Sequence, residues 1–134
     1  MNVEQTETMP VRSGEDVVRV RQAVRAQAIS VGLSLVDQTK IITASSEIAR
    51  NTINYGGGGD VVIERLSDGP RRGVRLVFSD AGPGIVDIAL AMTDGYTTGN
   101  GLGLGLSGAK RLSSEFAIDS APGKGTKVTL TRWK

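Results

Sequence analysis

The sequence predicts an α+β fold, a two-layer α/β sandwich whose mostly antiparallel sheet is covered on one face by helices. Two observations support it. Two stretches early in the chain carry apolar residues at helical spacing, and the later part holds two pairs of short strand-like runs, each pair joined by a turn. The resulting order is β-α-α-β-β, a loop, then α-β-β. Residues 8–12 (TMPVR) suit a short edge strand, where Pro10 is tolerated. Ser13, with Glu15 and Asp16 behind it, opens a first helix by capping and dipole chemistry, running to about Gly32. Val17, Val20, Val24 and Ala28 recur there at helical spacing, while Arg19, Arg21 and Arg25 lie elsewhere on its surface. Asp37 starts a second helix through Tyr55, stopped by the run Gly56 to Gly59. VVIERL (61–66) and VRLVFS (74–79) read as strands joined by the turn-rich SDGPRRG. Pro83 begins a looser segment through Asn100. A third helix is expected from about Leu104 to Ser113, and strands FAIDS (116–120) and KVTLTRW (127–133) flank a turn at Pro122 and Gly123.

A chain of 134 residues suits a single domain with its own core, with residues from about 13 to 134 as that core. The formal charge of +2 offers no electrostatic case for nucleic acid or a membrane surface. The chain has no cysteine and no histidine, which excludes disulfides, thiolate or imidazole metal sites, histidine-based triads and phosphohistidine chemistry. Nothing in MNVEQTETMPVRSGED resembles a signal peptide and no apolar run reaches membrane-spanning length, so a cytoplasmic location is expected.

Four short stretches carry candidate chemistry. On the second helix Glu47, Asn51 and Asn54 fall at i, i+4 and i+7, one stripe extended backwards by Lys40 and Thr43. An ordinary solvated helix face explains such a stripe, but asparagine is a poor helix former and two stand near one helix end. A carboxylate one turn before an amide oxygen can place a general base beside a metal-bound phosphate. Next, FSDAGPG (78–84) ends a strand on Asp80, followed by Gly82 and Gly84. It reads as a common turn, or as an acid accepting a hydrogen bond from a purine amine, with glycines letting the base lie against the backbone.

The third stretch, GNGLGLGLSGAK (99–110), removes side chains where a helix is about to begin, at roughly 1 kcal/mol per glycine. Helix N-termini present unpaired N–H groups to phosphates, and glycines let phosphate oxygens approach them. GLGLSG (103–108) fits the dinucleotide-binding G-x-G-x-x-G in form, but no strand precedes it and too little chain follows. A P-loop fails as well, because Ala109 stands before Lys110 and no Ser or Thr follows. The fourth stretch, GKGTK (123–127), is a hairpin turn that sets Thr126 at the start of a strand beside that of Asp80.

In combination and in this order, E-x-x-x-N, D-x-G-x-G, G-x-G-L-G-L-G and G-x-G-T resemble the ATP-binding domain shared by gyrase, the large heat-shock chaperone, histidine kinases and the mismatch-repair ATPase. The resemblance runs from about residue 13 to 134. SEIARN, DAGPGI, MTDGYTTGNGLGLGL and SGAKRLSSEFAI narrow it to the small bacterial anti-sigma-factor serine/threonine kinases. It implies a Bergerat-type ATP-binding fold that takes ATP and Mg²⁺. Asp80 would bind the adenine amine, with Thr126 assisting through water, and Gly82 and Gly84 would flank the base. Asn51 would hold the Mg²⁺, with Asn54 nearby. The run Gly101, Leu102, Gly103, Leu104, Gly105 and Leu106 would wrap the phosphates under a lid of residues 85–100. Glu47 would accept a proton from, or orient, the protein hydroxyl being phosphorylated.

The resemblance also implies a STAS-domain antagonist or scaffold as substrate in a stress or sigma-factor partner-switching pathway. A metal-dependent serine phosphatase would be a second partner, and a sigma factor ranks below both. Two departures bear on the chemistry. Asn54 stands where histidine kinases often carry a basic residue, and no phospho-acceptor histidine is present. An ATP-dependent binding switch with little phosphotransfer is the alternative, against which Glu47 argues because a pure binding module needs no base.

Overall fold

The computed structural model describes residues 1–93 and 105–134. Along the chain come β1 (Asn2–Val11), α1 (Gly14–Ser30), α2 (Leu35–Asn54), β2 (Gly59–Asp68), β3 (Arg71–Asp80), α3 (Ile88–Ala91), α4 (Gly105–Arg111), β4 (Glu115–Ser120) and β5 (Thr126–Trp133). The strands form one sheet in the order β1-β2-β3-β5-β4, and all its described pairings are antiparallel. The expected α+β class and strand order of appearance both hold.

Strand alternation sends every second side chain to the helix-covered face. Across the sheet Met9, Val61, Phe78, Val128 and Ile118 pair in one row. Ile63, Leu76, Leu130 and Phe116 form the next. Val17, Val20, Val24 and Ala28 of α1, with Ile41, Ala44, Ile48 and Ala49 of α2, close the core over them. Full burial of each large aliphatic or aromatic side chain stabilises by about 1.5–3 kcal/mol relative to exposure. Two residues beyond the Phe78 row, the same face ends on Val11, Gly59, Asp80, Thr126 and Ser120, again directly opposite one another. The apolar core therefore runs straight into a polar row at the sheet's end. On the other face Glu64 stands across from Arg75, and their 2.7 Å hydrogen bond raises the guanidinium pKa against the opposing effect of burial.

Several boundaries differ from expectation for local reasons. β1 begins at Asn2 rather than residue 8, because backbone pairing with β2 carries NVEQTET, a polar run without apolar alternation. α2 starts at Leu35, where Ser34 caps it by accepting from the Asp37 N–H at 3.1 Å, so Asp37 sits in the first turn instead of before it. β2 and β3 extend to the tight connection at Gly69 and Pro70. The looser segment after Pro83 contains the single turn α3, capped by Asp87 and too short to show a period. α4 ends at Arg111, two residues early.

The start of α2 is tied to the end of β5 by the Arg132–Asp37 pair at 2.7 Å, both side chains being partly buried. Asp37 also complements the helix dipole. Asp37→Ala is expected to lower stability by about 1–2 kcal/mol through both losses, read as a fall of several degrees in Tm. An unchanged melting curve would mean that the bridge contributes nothing.

Candidate functional site

The C-terminal half of α2, the end of β3, the segment from Pro83 to Ala91, and the starts of α4 and β5 surround a cavity of about 540 Å³. Ile48, Phe78, Ile85, Leu90, Leu106 and Val128 give it apolar walls, while Asn51, Asp80, Asp87 and Thr126 supply polar groups. A slot of this kind, apolar with a few placed hydrogen-bonding groups, suits a flat heteroaromatic ring.

Asp80 is fixed from two sides. Its Oδ1 accepts the Gly82 N–H at 2.9 Å. Against its other side lies Gly56, just past the end of α2, where an added Cβ would overlap the carboxyl group. The Gly56 and Gly82 backbones also touch, since a Cβ on Gly82 would come within 2.7 Å of Gly56 Cα. Gly84 turns the chain with φ +77°, and a Cβ there would strike the Ala121 carbonyl. Its glycine is thus required both by conformation and by space.

Thr126 stands directly opposite Asp80 across the β3–β5 ladder, and Ser120 directly opposite Thr126 across β4–β5. Ser120 Oγ donates to the Gly125 carbonyl, accepts the Ile85 N–H, and bonds Thr126 Oγ1, each at 2.9 Å. This node joins the segment after Pro83 to the β4–β5 turn.

Of the residues expected in a site, Asn51, Asp80, Gly84, Gly105, Leu106 and Thr126 line the cavity together, and Gly82 supports Asp80 from behind. Glu47 and Asn54 do not line it. Glu47 stands about 6 Å of helix rise from Asn51, and its carboxylate is held by Arg50 at 3.2 Å. Asn54 is exposed at the last position of α2. Gly101, Leu102, Gly103 and Leu104, like residues 94–100 of the expected lid, lie outside the described residues. Ile85, at the start of the expected lid, also lines the cavity. Tyr55, Gly56 and Ser120 have no place among the expected site residues. Of these, Tyr55 and Gly56 line the cavity, while Ser120 stands behind Thr126; only chain reversal after α2 and strand register bring them there.

Residues 36–134 match the family described as histidine kinase-, DNA gyrase B-, and HSP90-like ATPase. The chain is 44% identical over 118 residues to the serine/threonine-protein kinase RsbT of Bacillus subtilis strain 168, covering 88% of this chain and 89% of that protein. It is 30% identical to the anti-sigma F factor of Thermoanaerobacter sp. strain X514 over 84% of this chain and 82% of that one. Among solved structures, the RsbU and RsbW domains of Rv1364c from Mycobacterium tuberculosis superpose with a TM-score of 0.65 at 23% identity, over 96% of this chain and 31% of that one. The mycobacterial sensor histidine kinase MprB superposes with a TM-score of 0.56 at 19% identity, over 96% of this chain and 97% of that one. At these identities the two structures speak for the fold alone. The fold, the cavity and the family match agree: the chain belongs to the histidine kinase-, DNA gyrase B-, and HSP90-like ATPases, and within them it is a homologue of RsbT.

Proposed function

We propose that the protein is a serine/threonine kinase that binds Mg-ATP in this cavity and phosphorylates a separate STAS-domain protein in a partner-switching pathway. The observation that carries the reading is the convergence of Asn51, Asp80 and Thr126, from three different elements, on one largely apolar cavity. Adenine would occupy the apolar slot with its amine toward Asp80 and Thr126.

The family implies a magnesium ion accompanying the nucleotide, and the donor set fits one. Asn51 offers a hard amide oxygen, and the chain has no cysteine or histidine to favour a softer metal. No group of three or more acidic side chains among the described residues could cage a cation by itself. That suits Mg²⁺, which is commonly held jointly by one or two protein oxygens, phosphates and water. When bound, the ion neutralises phosphate charge and orients the terminal phosphoryl group. Asn51→Ala is therefore expected to weaken nucleotide binding more with magnesium than without it, as read by paired titrations. Equal losses in both would remove Asn51 from the metal.

In the transfer step the acceptor oxygen bonds to the γ-phosphorus and the bond from that phosphorus to the β,γ-bridging oxygen breaks, leaving ADP. Glu47 takes the hydroxyl proton. Most of the acceleration comes from positioning and charge neutralisation. A metal-dependent serine phosphatase, engaged when the kinase leaves its STAS partner, is the proposed second partner.

One observation favours the alternative, an ATP-dependent binding switch: Glu47 is paired with Arg50 and stands outside the cavity lining. The deciding experiment incubates the protein with γ-labelled ATP, magnesium and a STAS protein encoded beside it. Stoichiometric label on serine or threonine supports the kinase. Nucleotide-dependent association without label supports the switch.

A further inference from the structure

We propose that Ser120 is a positioning residue that sets the polarity of the Thr126 hydroxyl and thereby makes the cavity select a 6-amino over a 6-oxo purine; this rests on reading the cavity as a purine-nucleotide site. A serine hydroxyl has one proton and two lone pairs. The Gly125 carbonyl can only accept, so the Ser120 proton goes there, at 2.9 Å. The Ile85 N–H can only donate, so it takes one lone pair, also at 2.9 Å. The remaining lone pair faces Thr126 Oγ1 at 2.9 Å, and Thr126 must be the donor in that bond.

Ser120 is then fully satisfied, and Thr126 has no proton left for the cavity. Thr126 presents only lone pairs, beside an Asp80 carboxylate whose Oδ1 already accepts from Gly82. Both groups stand in one cross-strand row, where directly opposed side chains are close neighbours. The wall they form offers acceptors alone. An exocyclic amine supplies donors to it. A 6-oxo group brings another acceptor and leaves both sides unpaired, the situation in which hydrogen-bonding sites reject analogues most strongly.

The test compares binding of Mg-ATP and Mg-ITP, which differ at C6 and in the N1 proton that the 6-oxo base carries, to the wild type and to Ser120→Ala by calorimetry. The wild type should prefer ATP at least about tenfold. In Ser120→Ala the Thr126 hydroxyl is free to rotate and donate to a 6-oxo oxygen, so the preference should fall at least about threefold. A merely structural role would weaken both nucleotides by one factor and leave the ratio unchanged, which overturns the proposal. Should Ser120→Ala fail to fold, Thr126→Val decides the matter. It removes the hydroxyl while Ser120 keeps Ile85 and Gly125, and an undiminished preference there also overturns it. A wild type that binds ATP and ITP equally sinks this inference and leaves the kinase reading standing. A wild type that binds neither sinks both.

Discussion

Glu47→Ala is expected to slow phosphoryl transfer to the proposed STAS-domain partner at least about a hundredfold while Mg-ATP still binds. Positioned proton transfer contributes 10²–10⁴ in rate, and Glu47 stands one turn of α2 before Asn51, on the same stripe. Because Glu47 does not line the cavity proposed for the nucleotide, its loss should leave affinity for the nucleotide in place. The ion pair with Arg50 complicates a simple truncation, since alanine also releases Arg50. Glu47→Gln separates the two effects. It keeps size and hydrogen bonding but cannot accept the proton, so it should be about as slow as Glu47→Ala. Arg50→Ala, which removes only the partner, should retain transfer. Rapid-quench measurement of labelled STAS protein reads all three. Wild-type rates in both Glu47 variants would make Glu47 a solvated helix residue.

The second large effect is expected at Asp80. Asp80→Asn is nearly isosteric, so the close packing against Gly56 and the bond from the Gly82 N–H can both survive. What changes is the group facing the base: an acceptor becomes an amide that can present its own N–H₂ to the adenine amine. Hydrogen bonds to charged groups contribute about 1.5–3 kcal/mol, which corresponds to roughly tenfold to more than a hundredfold weaker binding. Calorimetry on a variant shown to be folded checks it. Unchanged affinity would remove Asp80 from adenine recognition.

Much of the lining of this candidate site was legible from residue order, because the residues proposed to carry its chemistry sit at element ends that composition marks. Asp80 closes an apolar strand before glycines, Thr126 opens one after a glycine turn, and Asn51 lies near a helix end where asparagine is otherwise unfavourable. The inner face of the sheet was less legible: Thr129 separates Val128 from Leu130, but Val62 stands between Val61 and Ile63 and Val77 between Leu76 and Phe78, so only strand pairing assigns those residues to a face. Ser120 was not legible. Its proposed role comes from standing opposite Thr126, and strand register is a tertiary property that no local spacing records. Residue order marks Gly56 as a helix stop, whereas its lack of a side chain also makes room for the Asp80 carboxyl. The first half of β1 was hidden because an exposed edge strand needs no apolar pattern when backbone pairing with β2 holds it. Glu47, Asn51 and Asn54 share a stripe, but a stripe spans several turns and this cavity touches only Asn51 among them.

The most direct measurement is a crystal structure of the protein with magnesium and a non-hydrolysable ATP analogue. The expected result has the adenine amine about 3 Å from an Asp80 carboxylate oxygen, the ring between Phe78 and the segment after Pro83, and Mg²⁺ bound by the Asn51 amide oxygen. A nucleotide bound elsewhere, or one whose base turns away from Asp80 with magnesium apart from Asn51, would contradict it.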